Sequence, residues 1–235
     1  MKKRILLLLF IPLVSFGQRN IVTQERSIEY YDGVAVSGSF DVQMTNSLEG
    51  KILIEADEKI IDDIITEIKG STLIIRRTTN GVIGRKRFLY NNVNVQIPQK
   101  LLKEAIVSGS GKFYNNTNFE TSNFKAVVSG SGELNLVLTA NTIKIINSGS
   151  GKISLKGSAN KLIAECSGSG INKLKYFKAV NGDLKISGSG SIDVDCSENI
   201  DVNISGSGKV RYVQYPLVKV STKISGSGSV RNISS

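Results

Sequence analysis

Residues 126–170 read AVVSGSGELNLVLTANTIKIINSGSGKISLKGSANKLIAECSGSG, and this stretch decides the fold. It holds three copies of Ser-Gly-Ser-Gly, separated by β-rich segments of nearly constant length. Working outward, the motif begins at Ser108, Ser129, Ser148, Ser167, Ser187, Ser205 and Ser225, in steps of 21, 19, 19, 20, 18 and 20 residues. A flexible Gly/Ser linker has no reason to recur at such a spacing. Self-similarity at a fixed period marks a repeat architecture.

Aligning the copies on the first Ser exposes columns. One position before it stand Val107, Val128, Asn147, Cys166, Ile186, Ile204 and Ile224. Three before stand Ala105, Ala126, Ile145, Ala164, Leu184, Val202 and Thr222, and five after stand Phe113, Leu134, Ile153, Asn172, Ile192, Val210 and Val230. Side chains alternate faces along a strand, so these columns share the inward face. The two glycines of each copy have the same parity: Gly109 and Gly111, Gly130 and Gly132, Gly149 and Gly151, Gly168 and Gly170, Gly188 and Gly190, Gly206 and Gly208, Gly226 and Gly228. Two inward glycines would let the chain turn a narrow corner. The serines then point outward in two columns, whose stacked hydroxyls can bond one another. Five of the seven units also carry an Asn six or seven residues before the Ser (Asn123, Asn141, Asn160, Asn181, Asn199), a residue suited to turns.

A 20-residue unit cannot bury its own apolar face, so neighbouring units must stack. Propeller blades and helical repeats need longer units, and a leucine-rich consensus is absent. The expected fold is all-β: a single-stranded right-handed parallel β-helix, or solenoid, with an N-terminal capping region containing one short helix. Residues 105–235 form the repeats and residues 18–104 the capping part. A separate α+β domain is the alternative for the latter. There, Val34 to Met44 alternates through a degenerate copy, Val36-Ser37-Gly38-Ser39. Lys51–Ala56, Thr72–Arg77 and Asn92–Ile97 read as strands. Ile60, Ile61, Ile64, Ile65 and Ile68 have helical spacing after Asp57, a candidate N-cap. Exposed solenoid ends also make end-to-end self-association an expectation.

The N-terminus reads as an export leader over residues 1–17. Lys2, Lys3 and Arg4 precede an apolar run from Ile5 to Val14, and Ser15-Phe16-Gly17 fits a cleavage site before Gln18. The run is shorter than the roughly 20 residues of a membrane span, and no cysteine at the junction supports a lipid anchor. No later apolar run predicts a transmembrane segment in the mature chain. Removal of the leader lowers the formal charge of +10 to +7, because Lys2, Lys3 and Arg4 leave with no acidic residue. The remaining lysines are dispersed, which fits a solvated surface better than a specific nucleic-acid site.

The chain has no His, which excludes His-based triads and His metal sites. Cys166 and Cys196 are both of inward parity and about one and a half coils apart, so buried small hydrophobes are expected rather than a disulfide. Ser-Gly-Ser-Gly is no phosphate cradle here, since β-rich sequence follows each copy where a helix would be needed. No copy matches the calcium-binding nonapeptide. Neither a catalytic residue nor a cofactor or metal site is read. Asp193 and Asp195, with Asp183 one coil earlier, are the carboxylates a glycoside hydrolase would use, although outward parity reads as a solvated face. Arg76, Arg77, Arg85, Lys86 and Arg87 form the densest basic group, a candidate polyanion patch, with a charged hairpin as the plainer reading.

The repeated Val/Ile-Ser-Gly-Ser-Gly, the segment Val34-Ala35-Val36-Ser37-Gly38-Ser39-Phe40-Asp41-Val42 and the closing Tyr212-Val213-Gln214-Tyr215-Pro216 resemble the putative auto-transporter adhesin, head GIN domain family (DUF2807). The resemblance covers about residues 28–232. It implies a β-helical exported protein of Gram-negative, Bacteroidetes-like bacteria, periplasmic, surface-bound or secreted, with an adhesin role and no catalytic residues to carry over. This sequence departs at Gln214, near which the family usually has Gly, and at Ile171, one position early after Ser167, where a bulge is expected. The functional expectation is a non-enzymatic envelope protein binding surfaces, glycans or partner proteins. The alternative is a polysaccharide lyase or hydrolase.

Overall fold

The computed structural model describes residues 20–46, 48–78, 93–99 and 101–233. The leader 1–17 and Arg85, Lys86 and Arg87 lie outside the described residues. The strands are β1 (Ile21–Ser27), β2 (Gly33–Gly38), β3 (Phe40–Thr45), β4 (Lys51–Asp57), β5 (Ile64–Lys69), β6 (Thr72–Arg77), β7 (Val93–Pro98), β8 (Glu104–Gly109), β9 (Lys112–Asn115) and β10 (Phe119–Gly130). They continue as β11 (Glu133–Gly149), β12 (Lys152–Gly168), β13 (Ile171–Gly188), β14 (Ser191–Gly206), β15 (Lys209–Val213), β16 (Lys219–Ser225) and β17 (Ser229–Ile233). All belong to one sheet wound into a solenoid.

Each coil of the regular part has two limbs. In β11, Glu133–Ala140 forms one limb, the chain bends at Asn141, and Thr142–Gly149 forms the other. Successive coils pair in parallel, with Leu134 on Ile153, Ile145 on Ala164 and Ser148 on Ser167. The burial pattern of β11 alternates as the sequence does: Leu134, Leu136, Leu138, Ile143 and Ile145 are each at most 2% exposed. Burying each such side chain contributes roughly 1.5–3 kcal/mol. The outer face meets water, so parallel strands here keep an alternating pattern rather than the continuous apolar run of a sheet covered on both faces.

The N-terminal strands pair directly onto this stack, but out of chain order. The coil formed by β2 and β3 lies between β6–β7 on one side and β8–β9 on the other. Ser37 and Gly38 pair with Ser108 and Gly109, so the degenerate copy forms the same corner as the regular ones. Phe40 stands where the others have their second glycine and is 3% exposed. Beyond β6 and β7 the direction reverses: β5 pairs antiparallel with β6, β4 with β7 and β1 with β4. Ile52, Ile54 and Ala56 of β4 close the core there. At the far end β16 stacks on β14 and β17 on β15, and Ile224 of the last coil is 41% exposed.

The isoleucine-rich segment departs from the helix expected of it. Only Ile61–Asp63 forms a single 3-10 turn, and Ile64–Lys69 is strand β5. β-branched residues lose side-chain freedom in a helix and suit a pleated surface, and pairing with β6 supplies the tertiary contact that decides between them. Asp57 does not cap a helix; its Oδ1 accepts the Lys59 amide at 2.9 Å, closing a local turn.

The bulge expected at Ile171 is also elsewhere. Ile171 pairs in register with Lys152 and Ser191 and points outward, 42% exposed, while Asn172 takes the inward position. The register slips further on, where Ser154 pairs with Lys173 but Lys156 with Tyr176. The extra residue of this coil is accommodated there, on the limb.

Candidate functional site

The Ser-Gly corner differs from its expected form in a specific way. The second glycine is inward and buried from Gly111 to Gly208, as parity predicts, and half-buried at Gly228 in the last coil. The first sits at the rim with a left-handed backbone: φ is +110° at Gly109 and +109° at Gly168. A Cβ on Gly168 would lie 2.7 Å from the Gly149 carbonyl oxygen one coil earlier. The first glycine is therefore required by its backbone angle and by the close approach of the neighbouring backbone, not by interior crowding. The second makes room for a side chain. A Cβ on Gly132 would lie 2.7 Å from Val107 Cγ1 and also from the Gly111 carbonyl oxygen, and one on Gly170 would lie 2.5 Å from Asn147 Nδ2. The residue before each motif packs over the second glycine of the following coil.

The serines do point outward and stack rung on rung from Ser37 through Ser108, Ser129, Ser148, Ser167, Ser187 and Ser205 to Ser225. Among the described residues their hydroxyls do not bond one another. The corner is tied by backbone instead: the Ser150 amide donates to the Gly130 carbonyl and the Ser169 amide to that of Gly149, each at 2.9 Å. One polar group enters this corner from within. Asn147, fully buried, donates to the Gly151 carbonyl at 2.9 Å and to Asn172 Oδ1 at 3.1 Å.

The opposite corner is built from side chains. Asn160 donates to Asn141 Oδ1 at 2.8 Å, and Asn199 to Asn181 Oδ1 at 2.7 Å. The sequence column of asparagines thus resolves into two short ladders. Outside the first lies a groove. A cavity of about 680 Å3 is lined by Tyr30, Leu101, Lys103, Glu120, Thr121, Ser122, Thr139, Ala140, Asn141 and Asn160. A second, of about 350 Å3, shares Lys103, Thr121 and Ser122 with it and extends past Phe124 to Lys125 and Lys144. This coil carries two extra residues before Phe119: Tyr114 pairs with Asn135 but Phe119 with Leu138. Asn115, 4% exposed, holds the insertion by accepting the Val137 amide at 2.7 Å and donating to the Val137 carbonyl at 3.0 Å. Sequence reading missed this groove. Its one signal was a pair of doublets, Tyr30-Tyr31 and Leu101-Leu102. Tyr31 and Leu102 are fully buried, the former donating its hydroxyl to the Pro98 carbonyl at 2.8 Å, while Tyr30 and Leu101 are each 68% exposed.

The groove lysines are paired. Lys103 lies 2.6 Å from Asp32, Lys125 2.6 Å from Glu104 and Lys144 3.2 Å from Glu165. The hydrogen bonds of Lys103 and Ser71 hold the Asp32 carboxyl below the usual carboxylate range.

The carboxylates singled out by sequence are not brought together. Asp193 receives a two-point ion pair from Arg211, at 2.7 and 2.5 Å. Asp195 is not on a solvated face: it is 9% exposed and accepts the Tyr215 hydroxyl at 2.7 Å. This bond raises the pKa of Tyr215 and gives the closing Tyr-Pro segment its anchor. Asp183 lies on the other limb, stacked on Asp201. Of the basic group, Arg76 lies 3.2 Å from Glu67 and Arg77 3.3 Å from Asp63, so both described members are paired across the cap. Cys166 and Cys196 are free and buried. Burial raises both thiol pKa values, that of Cys196 to about 12. Among the described residues there is no cluster of three metal-ligating side chains and no helix long and apolar enough to cross a membrane.

A stack of two-limbed parallel coils with repetitive polar outer faces defines the class: a β-solenoid whose constant corner is architectural and whose surface varies at the other. The chain belongs to the DUF2807 family, described as "Putative auto-transporter adhesin, head GIN domain", which it matches over residues 30–216. Solved structures share the fold. A "putative adhesin" from Bacteroides fragilis superposes with a TM-score of 0.76 at 18% identity, over 92% of this chain and 98% of that one. A second from Parabacteroides distasonis gives 0.70 at 23% identity, over 92% and 98%. A "putative lipid binding protein" from the same organism gives 0.70 at 24%, over 91% and 97%. No curated protein matches in sequence.

Proposed function

We propose that this chain is an exported, non-enzymatic adhesin of the cell envelope that binds surface polymers through the outer face of its solenoid. The observation that carries this reading is the groove at the Asn corner, where two large apolar side chains stand exposed beside hydroxyls and amides. Exposed apolar groups rimmed by polar ones mark interaction sites, and elongated repeat surfaces suit extended partners. The family and the adhesin descriptions of its structural neighbours support the same role. The dispersal of Asp183, Asp193 and Asp195 into separate ion-paired, hydrogen-bonded and stacked positions weighs against the hydrolase alternative. The test is retention of the fluorescently labelled full chain on isolated bacterial envelopes and on host mucosal surfaces. Saturable retention, competed by unlabelled protein, is expected; its absence on every surface would remove the adhesin reading.

A further inference from the structure

Resting on that reading, we propose that the groove formed by Tyr30, Leu101 and the Asn141–Asn160 ladder is a carbohydrate site for a neutral oligosaccharide. The argument starts from the doublets. Both doublets lie in connections between strands, Tyr30-Tyr31 between β1 and β2 and Leu101-Leu102 between β7 and β8, and in each one residue is buried and the other exposed. Tyr31 and Leu102 fill the core. Tyr30 and Leu101 have no core role, yet both line one cavity at 68% exposure. An aromatic ring beside an aliphatic chain offers a flat apolar platform with a polar tip.

The polar groups opposite have complementary chemistry. A sugar presents an apolar C–H face ringed by hydroxyls that both donate and accept. The Asn160 to Asn141 hydrogen bond uses one donor and one acceptor of the two amides. The Asn141 amide hydrogens and the Asn160 carbonyl have no protein partner among the described residues. One donor and one acceptor, held side by side, match a pair of adjacent hydroxyls. Thr121, Ser122 and Glu120 line the same cavity. At about 680 Å3 it falls within the roughly 300–1,000 Å3 of small-ligand sites, and the adjoining cavity of about 350 Å3 gives a chain of sugars room to continue.

Charge selects a neutral ligand. The chain is basic, but Lys103, Lys125 and Lys144 each hold a carboxylate within 2.6 to 3.2 Å. The groove therefore offers an acidic sugar no unpaired lysine, and Glu120 would oppose one.

The experiment is affinity electrophoresis of the full chain through gels containing neutral polysaccharides (β-glucan, mannan, xylan, galactan), followed by calorimetry with oligosaccharides of the retarding one. Retardation by at least one neutral polymer is expected, with affinity unchanged between about 50 and 500 mM salt, since no ion pair with the ligand is broken by screening. Tyr30→Ala should weaken binding by at least about tenfold, as for an aromatic anchor, with an unchanged melting temperature. Tyr30→Phe should retain it, and Asn160→Ala should weaken it by a smaller factor. Retention by none of the neutral polymers, or binding that Tyr30→Ala leaves intact, would overturn the proposal. So would binding confined to acidic polymers and lost in salt. If Tyr30→Ala also leaves retention on whole envelopes unchanged, the site fails while the adhesin reading stands. If the wild-type chain is retained on no surface, the adhesin reading itself fails.

Discussion

The two corners of each coil solve the same problem by opposite means. At the Ser-Gly corner the backbone does the work: a left-handed glycine, an amide donated one coil back, and a side chain packed over the second glycine. At the Asn corner side-chain amides make the rungs. The difference shows in what each tolerates. The Ser-Gly corner keeps one-to-one register from Ser37 to Ser225, although from Ser108 onward the coil length varies from 18 to 21 residues. Within the repeats the described irregularities fall on the first limb or between it and the Asn corner: two residues after Tyr114, one beside Lys175, shifts between Leu174 and Lys178 and between Ala179 and Asn181, and two residues between Tyr212 and Lys219. A backbone held within hydrogen-bonding distance of its neighbour admits no extra residue, whereas an exposed side-chain rung can be skipped. Variation collects where the structure permits it.

Substitutions can break this contrast, beginning with the largest effect. Gly168→Val places a β-branched residue at φ +109° against the Gly149 carbonyl. It should lower stability by about 3 kcal/mol or more in urea unfolding, combining strain with overpacking. A loss below about 1 kcal/mol would deny the corner its backbone-built character. Gly170→Ala keeps an ordinary backbone angle and meets the Asn147 side chain first, at 2.5–2.7 Å, so about 1–3 kcal/mol is expected. Because that clash is with a side chain, Asn147→Ala should relieve part of it, and a double-mutant cycle should show clear non-additivity. An additive pair would place the strain in the backbone here too.

The two cysteines report on the two corners in turn, Cys166 packed at the Ser-Gly side and Cys196 beside Gly182 near the Asn side. The folded state raises the Cys196 thiol from 9.0 to about 12 through burial. Its contribution to stability is therefore complete below the unfolded value near 9 and is lost as pH rises through about 12. Alkaline melting curves should decline less steeply in Cys196→Ala than in wild type, and equal slopes would contradict the assignment. Last and smallest, Asn160→Ala should cost about 0.5–1.5 kcal/mol for its hydrogen bond, while Ser167→Ala stays within about 0.5 kcal/mol. Reversal of that order would mean the serine ladder, not the asparagine one, carries the side-chain bonding.

The same contrast explains what was legible in the sequence. Repeat period, parity and the serine and asparagine columns follow from local alternation, which the chain writes plainly. The conformation of Gly168 does not: parity alone places both glycines inward, and only contact with Gly149 reveals why the first sits at the rim. Ile64–Lys69 misleads because an isoleucine run at helical spacing is equally a strand once β6 is beside it. The insertion of β2–β3 between β6–β7 and β8–β9 is a long-range choice that no local pattern records. Tyr30 and Leu101 were visible only as doublets, and their meeting in one groove with Asn141 and Asn160 joins segments far apart in the chain.

The strict rung-on-rung register of the Ser-Gly corner has a further consequence. Cys166 stands over Asn147 and Ser167 over Ser148, so residues 148–166 constitute one full turn whose ends meet equivalent neighbours. Each coil touches only those beside it. Whole turns can then be gained or lost by duplication or deletion without rewriting either limb, each changing the reach of the molecule by roughly 4.8 Å. The corner acts as a gauge, and a lineage carrying it can tune the length of the stack in uniform steps.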